Sequence, residues 1–178
     1  MKTRRNKGFT LIEFVVVIII ISTLGAVLLN RMWFYQEAAE KAAMEQMAGT
    51  LRSALHFQIA DRLLRGKTAD IGELAADNPI NWLAEPPANY VGDRFAPAAD
   101  AVSKGNWYFD LKDRHLVYLV ARGEHFTPNK QGRKEVRYTV RLIFSNKNPQ
   151  AGLENAAKQD INGVVLALAE PYQWFSGK

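Results

Sequence analysis

Sixteen consecutive residues, Phe14 to Leu29, carry no charge. Inside them Val15-Val16-Val17-Ile18-Ile19-Ile20-Ile21 is β-branched and apolar on every side. In water such a run would suggest a strand. Its length and its flanks favour a membrane helix, because about twenty residues from Phe9 to Leu29 are enough to cross ~30 Å of hydrocarbon. Ahead of it, Lys2, Arg4, Arg5 and Lys7 stand with no anion among them, which places that end in the cytoplasm by the positive-inside rule. Behind it, Arg31-Met32-Trp33-Phe34-Tyr35 reads as an interfacial belt on the periplasmic side. Ser22, Thr23, Gly25 and Ala26 form a small-residue patch that lets neighbouring helices approach. One carboxylate, Glu13, stands at the edge of the apolar block, where a charge in lipid costs ~2.5–3.5 kcal/mol or more.

An ordinary secretory signal places its small residues after the apolar region. Here the small residue at a natural boundary, Gly8, precedes it. A cut there removes the basic arm and leaves the whole apolar helix attached. A plain anchor, with Glu13 reaching back to the headgroups, is the competing reading of the same residues.

The hexapeptide Gly8-Phe9-Thr10-Leu11-Ile12-Glu13 behind a short basic leader resembles the prepilin signal of type IV pilins and type II secretion pseudopilins. The resemblance covers about the first thirty residues and implies cleavage between Gly8 and Phe9 by a membrane peptidase, with N-methylation of Phe9. Glu13 falls where the family carries its assembly glutamate, so the Phe9 amine of an adjacent subunit is its implied partner. The implied setting is the inner membrane, single-pass, with the C-terminal region periplasmic until the subunit enters a pilus or pseudopilus. Implied partners are the prepilin peptidase, other pilin or pseudopilin subunits, an inner-membrane assembly platform and membrane lipid. Many major pilins staple a C-terminal loop with a disulfide; this chain has no cysteine, which points to a pseudopilin or a minor subunit, and the resemblance as a whole is to a minor pilin-like or MSHA-type subunit. Many pilins also break this helix with a proline, and none occurs here before Pro79, so less melting is expected.

Composition narrows the function. The chain has 178 residues and a formal net charge of +5, but the leader holds four of the 23 Lys and Arg and none of the 18 Asp and Glu. Without it the balance is 19 against 18, so nucleic-acid binding is not expected. The absence of cysteine excludes thiol catalysis and thiolate metal sites. There is no phosphate loop, dinucleotide fingerprint or nucleophile elbow. His56, His115 and His125 are scattered. Asp93, Asp100, Asp110 and Asp113 form no compact loop of the six to eight oxygens that calcium needs. Arg114, Arg122, Arg133, Lys134, Arg137 and Arg141, interrupted by Asp113, Glu124 and Glu135, read as a solvated face. No enzyme activity, metal or cofactor is expected.

The expected fold is α+β: a long N-terminal helix, half transmembrane and half amphipathic spine, packed on a small antiparallel sheet. Residues 1–8 are the leader, 9–29 the transmembrane or fibre-core helix, and 30–66 the spine. Residues 67–105 connect helix to sheet, and 106–178 hold the sheet and C-terminal region. Met44, Met47, Leu51, Leu55, Ile59 and Leu63 step by three or four into one apolar stripe, with Glu37, Glu40, Lys41, Glu45, Arg52 and Asp61 in the polar remainder. Gly66 is a plausible stop, which makes a helix from Phe9 to Arg65 roughly 85 Å long. A coiled coil is the alternative use of that stripe. Asn78-Pro79 opens a short turn through Trp82.

Strands are expected over Asn106–Leu111 and Arg114–Ala121 around Lys112-Asp113, over Glu135–Phe144, and over Val164–Ala169. Glu135–Phe144 alternates, with Val136, Tyr138, Val140, Leu142 and Phe144 inward and Arg137, Thr139 and Arg141 outward. A short helix is expected around Leu153–Lys158, and the aromatic tail Pro171–Phe175 is expected to dock on the domain. The leading function is a structural subunit assembled into a helical filament. The alternatives are a minor subunit displaying an adhesive or DNA-capturing surface, a type II secretion pseudopilin, and a membrane-anchored enzyme.

Overall fold

The computed structural model describes residues 9–98, 100–144 and 161–175. The basic leader with Gly8, and the helix expected around Leu153–Lys158, lie outside the described residues. The chain divides into two compact units, Met1–Ala39 and Glu40–Lys178.

The first unit is helical throughout its described length beyond Thr10. It is the opening part of α1, Leu11–Leu64, which passes Gly25 without a break. Its apolar side chains face outward on all sides, with Ile18 47%, Ile21 63%, Leu24 65% and Leu28 71% exposed. The hydroxyl of Thr23 donates to the Ile19 carbonyl at 2.7 Å, so this polar group needs nothing beyond its own helix. Trp33, Phe34 and Tyr35 are also exposed, and Phe34 meets Tyr35 edge-on at 6.0 Å.

In the second unit α1 buries one face. Met44, Ala48, Leu51 and Leu55 are within 2% of full burial, at the four-three-four spacing of a single helical stripe. Met47 and Ile59 pack at its margin, whereas Leu63 is 52% exposed and ends the stripe early. Glu37, near the end of the first unit and expected on the polar side, is only 2% exposed. The helix closes where expected, with Gly66 in the left-handed region at φ 71°.

The stripe packs on a five-stranded sheet ordered β1-β2-β3-β4-β5. β1 is Tyr90–Arg94, β2 Trp107–Asp110, β3 His115–Leu119, β4 Glu135–Phe144 and β5 Ile161–Leu168. Trp107 and Phe109 of β2, Leu116 and Tyr118 of β3, Val136, Tyr138 and Val140 of β4, and Val164 and Leu166 of β5 share the core with the helix. Helix-on-sheet packing therefore stands and the coiled coil does not.

The expected strands are all present, but the sheet begins earlier than 106. β1 lies in the segment read as a connection and runs parallel to β2, while the other pairs are antiparallel. Asn78 caps the 3-10 turn Pro79–Trp82, accepting from Ile80 N. Its amide also donates to Asp93 Oδ1 at 2.8 Å and to the Tyr90 hydroxyl at 2.7 Å, which ties this turn to β1. A second 3-10 segment, Thr68–Ala75, sends Ile71 and Leu74 into the core. The β2–β3 hairpin turns without glycine because Arg114 takes φ 54°. The tail docks: Trp174 is 5% exposed and forms a bridge to Phe126, and Tyr172 donates to Glu45 at 3.0 Å.

Candidate functional site at the N-terminus

The first turn of α1 explains how Glu13 is held. Thr10 is the last residue before the helix, and its carbonyl accepts the first intrahelical bond, from Phe14 N at 3.1 Å. The Thr10 hydroxyl accepts from Glu13 N at 3.3 Å. In return Glu13 Oε2 accepts from Thr10 N at 3.0 Å and from the Thr10 hydroxyl at 2.9 Å. This reciprocal pairing is a capping box, which satisfies donors that a helix start otherwise leaves open. Glu13 therefore does not stand alone. Its position was recognised from the sequence; its tie to Thr10 was missed, although Thr10-Leu11-Ile12-Glu13 spells the capping pattern.

Phe9 precedes the cap with its side chain 74% exposed. Glu13 Oε1 receives no bond among the described residues. The carboxylate thus has one oxygen committed to its own helix and one open to another donor. From Phe14 through Leu29 no further charge follows, and α1 is the one described helix long and apolar enough to cross a membrane.

The remaining candidates are not gathered into one place. His56 is exposed on α1, His115 sits at the start of β3, and His125 stacks on Phe175 at 5.4 Å. Asp93 accepts from Asn78 and Tyr90, Asp110 from the backbone of Ala96 and Lys112, and Asp113 lies 3.7 Å from Arg137. Among the described residues no group of three or more His, Asp or Glu is arranged to hold a metal.

The basic face is corrected at two places. The Arg137 side chain is only 12% exposed, and that of Glu135 is fully buried, paired with it at 2.8 Å. Neither is a solvated charge. Glu40, in sequence only one of the polar residues flanking the stripe, accepts from the Tyr118 hydroxyl at 3.0 Å and from Ala121 N and Arg122 N at 2.7 and 2.8 Å. It is the polar clasp between the spine and the end of β3. Burial and the Glu40 carboxylate push the Tyr118 hydroxyl well above its usual range.

Residues 3–29 match the family model described as the prokaryotic N-terminal methylation motif. The match supports a signal of the type IV pilin or pseudopilin kind, and the long helix on a mostly antiparallel sheet is a pilin-like α+β fold. No curated protein and no solved structure matches the chain.

Proposed function

We propose that the chain is the precursor of a structural subunit of a type IV pilus or pseudopilus, cleaved between Gly8 and Phe9, methylated on Phe9 and assembled into a helical filament. One observation carries the reading: an uncharged helix exposed on every side begins with a single carboxylate, and it follows the methylation motif's basic leader. Cleavage leaves a charged amine on Phe9. Lipid shelters the helix before assembly and neighbouring copies shelter it afterwards. In the second setting an uncompensated Glu13 would cost several kcal/mol, and the amine of an adjacent subunit supplies the missing charge. A head-to-tail contact of this kind does not close on itself and so propagates a filament.

The capping box makes the test clean. Glu13→Gln keeps the box, since Gln serves at that position as well as Glu, but removes the charge. Insertion and cleavage should be normal. The ratio of processed protein in sheared fibre to that in membrane should fall at least tenfold, corresponding to about 1.4 kcal/mol or more per contact. Thr10→Ala does the reverse, keeping the charge and costing about 1 kcal/mol of helix capping. It should leave the ratio within a few-fold of wild type. An unchanged ratio for Glu13→Gln removes the assembly role. Processing is read separately by intact mass: the mature chain should lack residues 1–8 and carry one added methyl, and Gly8→Val should retain the leader.

A further inference from the structure

We propose that copies of this chain dock front to back, the acidic connecting segment of one against the basic outer face of the sheet of the next. The inference rests on the reading that copies assemble, and adds the surfaces by which their second units meet. Without its leader the chain is nearly neutral, yet its charges are sorted rather than mixed. Between Lys67 and Arg94 stand five carboxylates and no cation. From Lys104 to Arg141 stand nine cations against four carboxylates. Two of those four, Asp110 and Glu135, are buried, and a third, Asp113, lies 3.7 Å from Arg137.

The sheet separates the two groups. Ile71, Leu74, Ile80 and Trp82 of the acidic segment pack into the core shared by the helix and one face of the sheet. Side chains alternate along a strand, so Arg137 and Arg141 project from the face opposite Val136, Tyr138 and Val140. On that opposite face Val102, Tyr108 and Val117 form a small cluster of their own. Beside Tyr108 the cations Lys104, Arg133 and Lys134 line a cavity, with Asp100 and the buried Glu135 as its carboxylates.

On the acidic side Asp77 and Asp93 are engaged locally, accepting from the Trp82 indole at 2.8 Å and the Tyr90 hydroxyl at 2.6 Å. Glu73 and Glu85 are exposed and form no ion pair with a described residue. Lys104 and Arg133 form none either. A symmetric contact that places either face on itself sets like charges together, which is unfavourable. Acid on base is attractive, uses different surfaces of the two copies and leaves each pair with one free face of each kind, so it propagates without closing. A polyanion would match the basic face alone, whereas a second copy accounts for both.

The test exchanges the charges. Glu73→Lys/Glu85→Lys makes both faces basic, and Lys104→Glu/Arg133→Glu makes both acidic; each should melt at the wild-type temperature. The full chain is studied in detergent micelles by sedimentation. Wild type should associate at low salt and at least about fivefold more weakly at 0.5 M, where the Debye length shrinks to a few ångströms. Each variant alone should associate at least about fivefold less than wild type, and the two mixed should regain it, since each offers the face the other lacks. In cells, each variant should lower the ratio of processed protein in sheared fibre to that in membrane, and coexpression should restore it. Variants that associate like wild type, or a mixture that regains nothing, overturn the proposal. Heparin retention shared by wild type and Glu73→Lys/Glu85→Lys, with no gain on mixing, assigns the basic face to a polyanion and also overturns it. Normal fibres from both single-face variants remove this contact and leave the filament reading standing. Pairing of the mixed variants in micelles without any fibre upholds the contact and removes the filament.

Discussion

Leu24 and Leu51 are the same residue in the same unbroken helix, yet one is 65% exposed and the other wholly buried. The contrast holds along α1. In the second unit, apolar residues occupy one stripe and charges occupy the rest, so the chain covers that stripe itself. In the first unit, from Phe14 to Leu29, apolar residues occupy every side and no described residue covers them. A leucine moved fully out of water gains ~1.5–3 kcal/mol. The spine takes that gain by folding, and the first unit does not take it from any described residue; on the proposed function, lipid or other subunits would supply it. Hydrophobicity alone does not tell the two apart; its angular distribution does.

The sharpest way to break the comparison is to place one charge in each region. Leu55→Asp puts an unpaired carboxylate into the core and should abolish cooperative unfolding of a chain beginning at Tyr35, a loss above about 4 kcal/mol. A normal melting transition would disprove the packing of spine on sheet. Leu24→Asp should leave the folding of the second unit intact but weaken membrane integration by ~2.5–3.5 kcal/mol, measured by carbonate extraction of the full chain. If it also lowers the melting temperature, the two regions are not independent.

A smaller effect tests how the second unit uses polar groups. Glu40→Ala strips the acceptor from Tyr118, Ala121 N and Arg122 N and should cost about 1–3 kcal/mol, read as a lower urea midpoint at unchanged slope.

The smallest expected effect is a pH dependence. His115 is held below its ordinary pKa, first by burial and then by the Arg137 charge, despite the opposing pull of Asp113, Asp110 and Glu170. Its unfolded value is about 6.5, so the folded state binds this proton less readily than the unfolded state. The corresponding stability is present above that pH and is lost as pH falls through the lower folded value. Melting temperature should therefore fall on acidification below about pH 6.5, and His115→Gln should flatten part of that slope. An unchanged slope would show that His115 does not contribute.

Which parts of this arrangement were legible follows from how local their signals are. β4 was legible because Val136, Tyr138 and Val140 alternate with polar residues, a period written into consecutive positions. β1 was not. It is five residues long, contains Gly92 at φ 88° and a register irregularity, and owes its place to a parallel partner beyond a long loop. The β2–β3 turn was located by length, but its use of Arg114 in place of glycine depends on backbone context. At the candidate site, Glu13 is marked by its charge in an apolar run, whereas Thr10 is an uncharged residue whose role shows only in its bonds to Glu13 across the first helical turn. Glu40 and Glu135 look like ordinary surface acids in sequence. Glu40 meets Tyr118, 78 residues away and brought near only by folding, whereas Glu135 pairs with Arg137 two positions on along β4, and what the sequence hides there is the burial of the pair.

The Tyr172 to Glu45 bond joins positions 127 residues apart. Translation proceeds from the N-terminus at about 5–20 residues per second, so the spine waits roughly 6–25 s for the tail that seals it. For the first part of that interval, before β2 to β5 are made, Met44, Leu51 and Leu55 have no sheet to cover them, while the apolar first part of α1 is already synthesised. On the anchored reading proposed above, tethering at the bilayer would hold each unfinished stripe at a surface, apart from the stripes of other nascent chains, until β4 and β5 arrive.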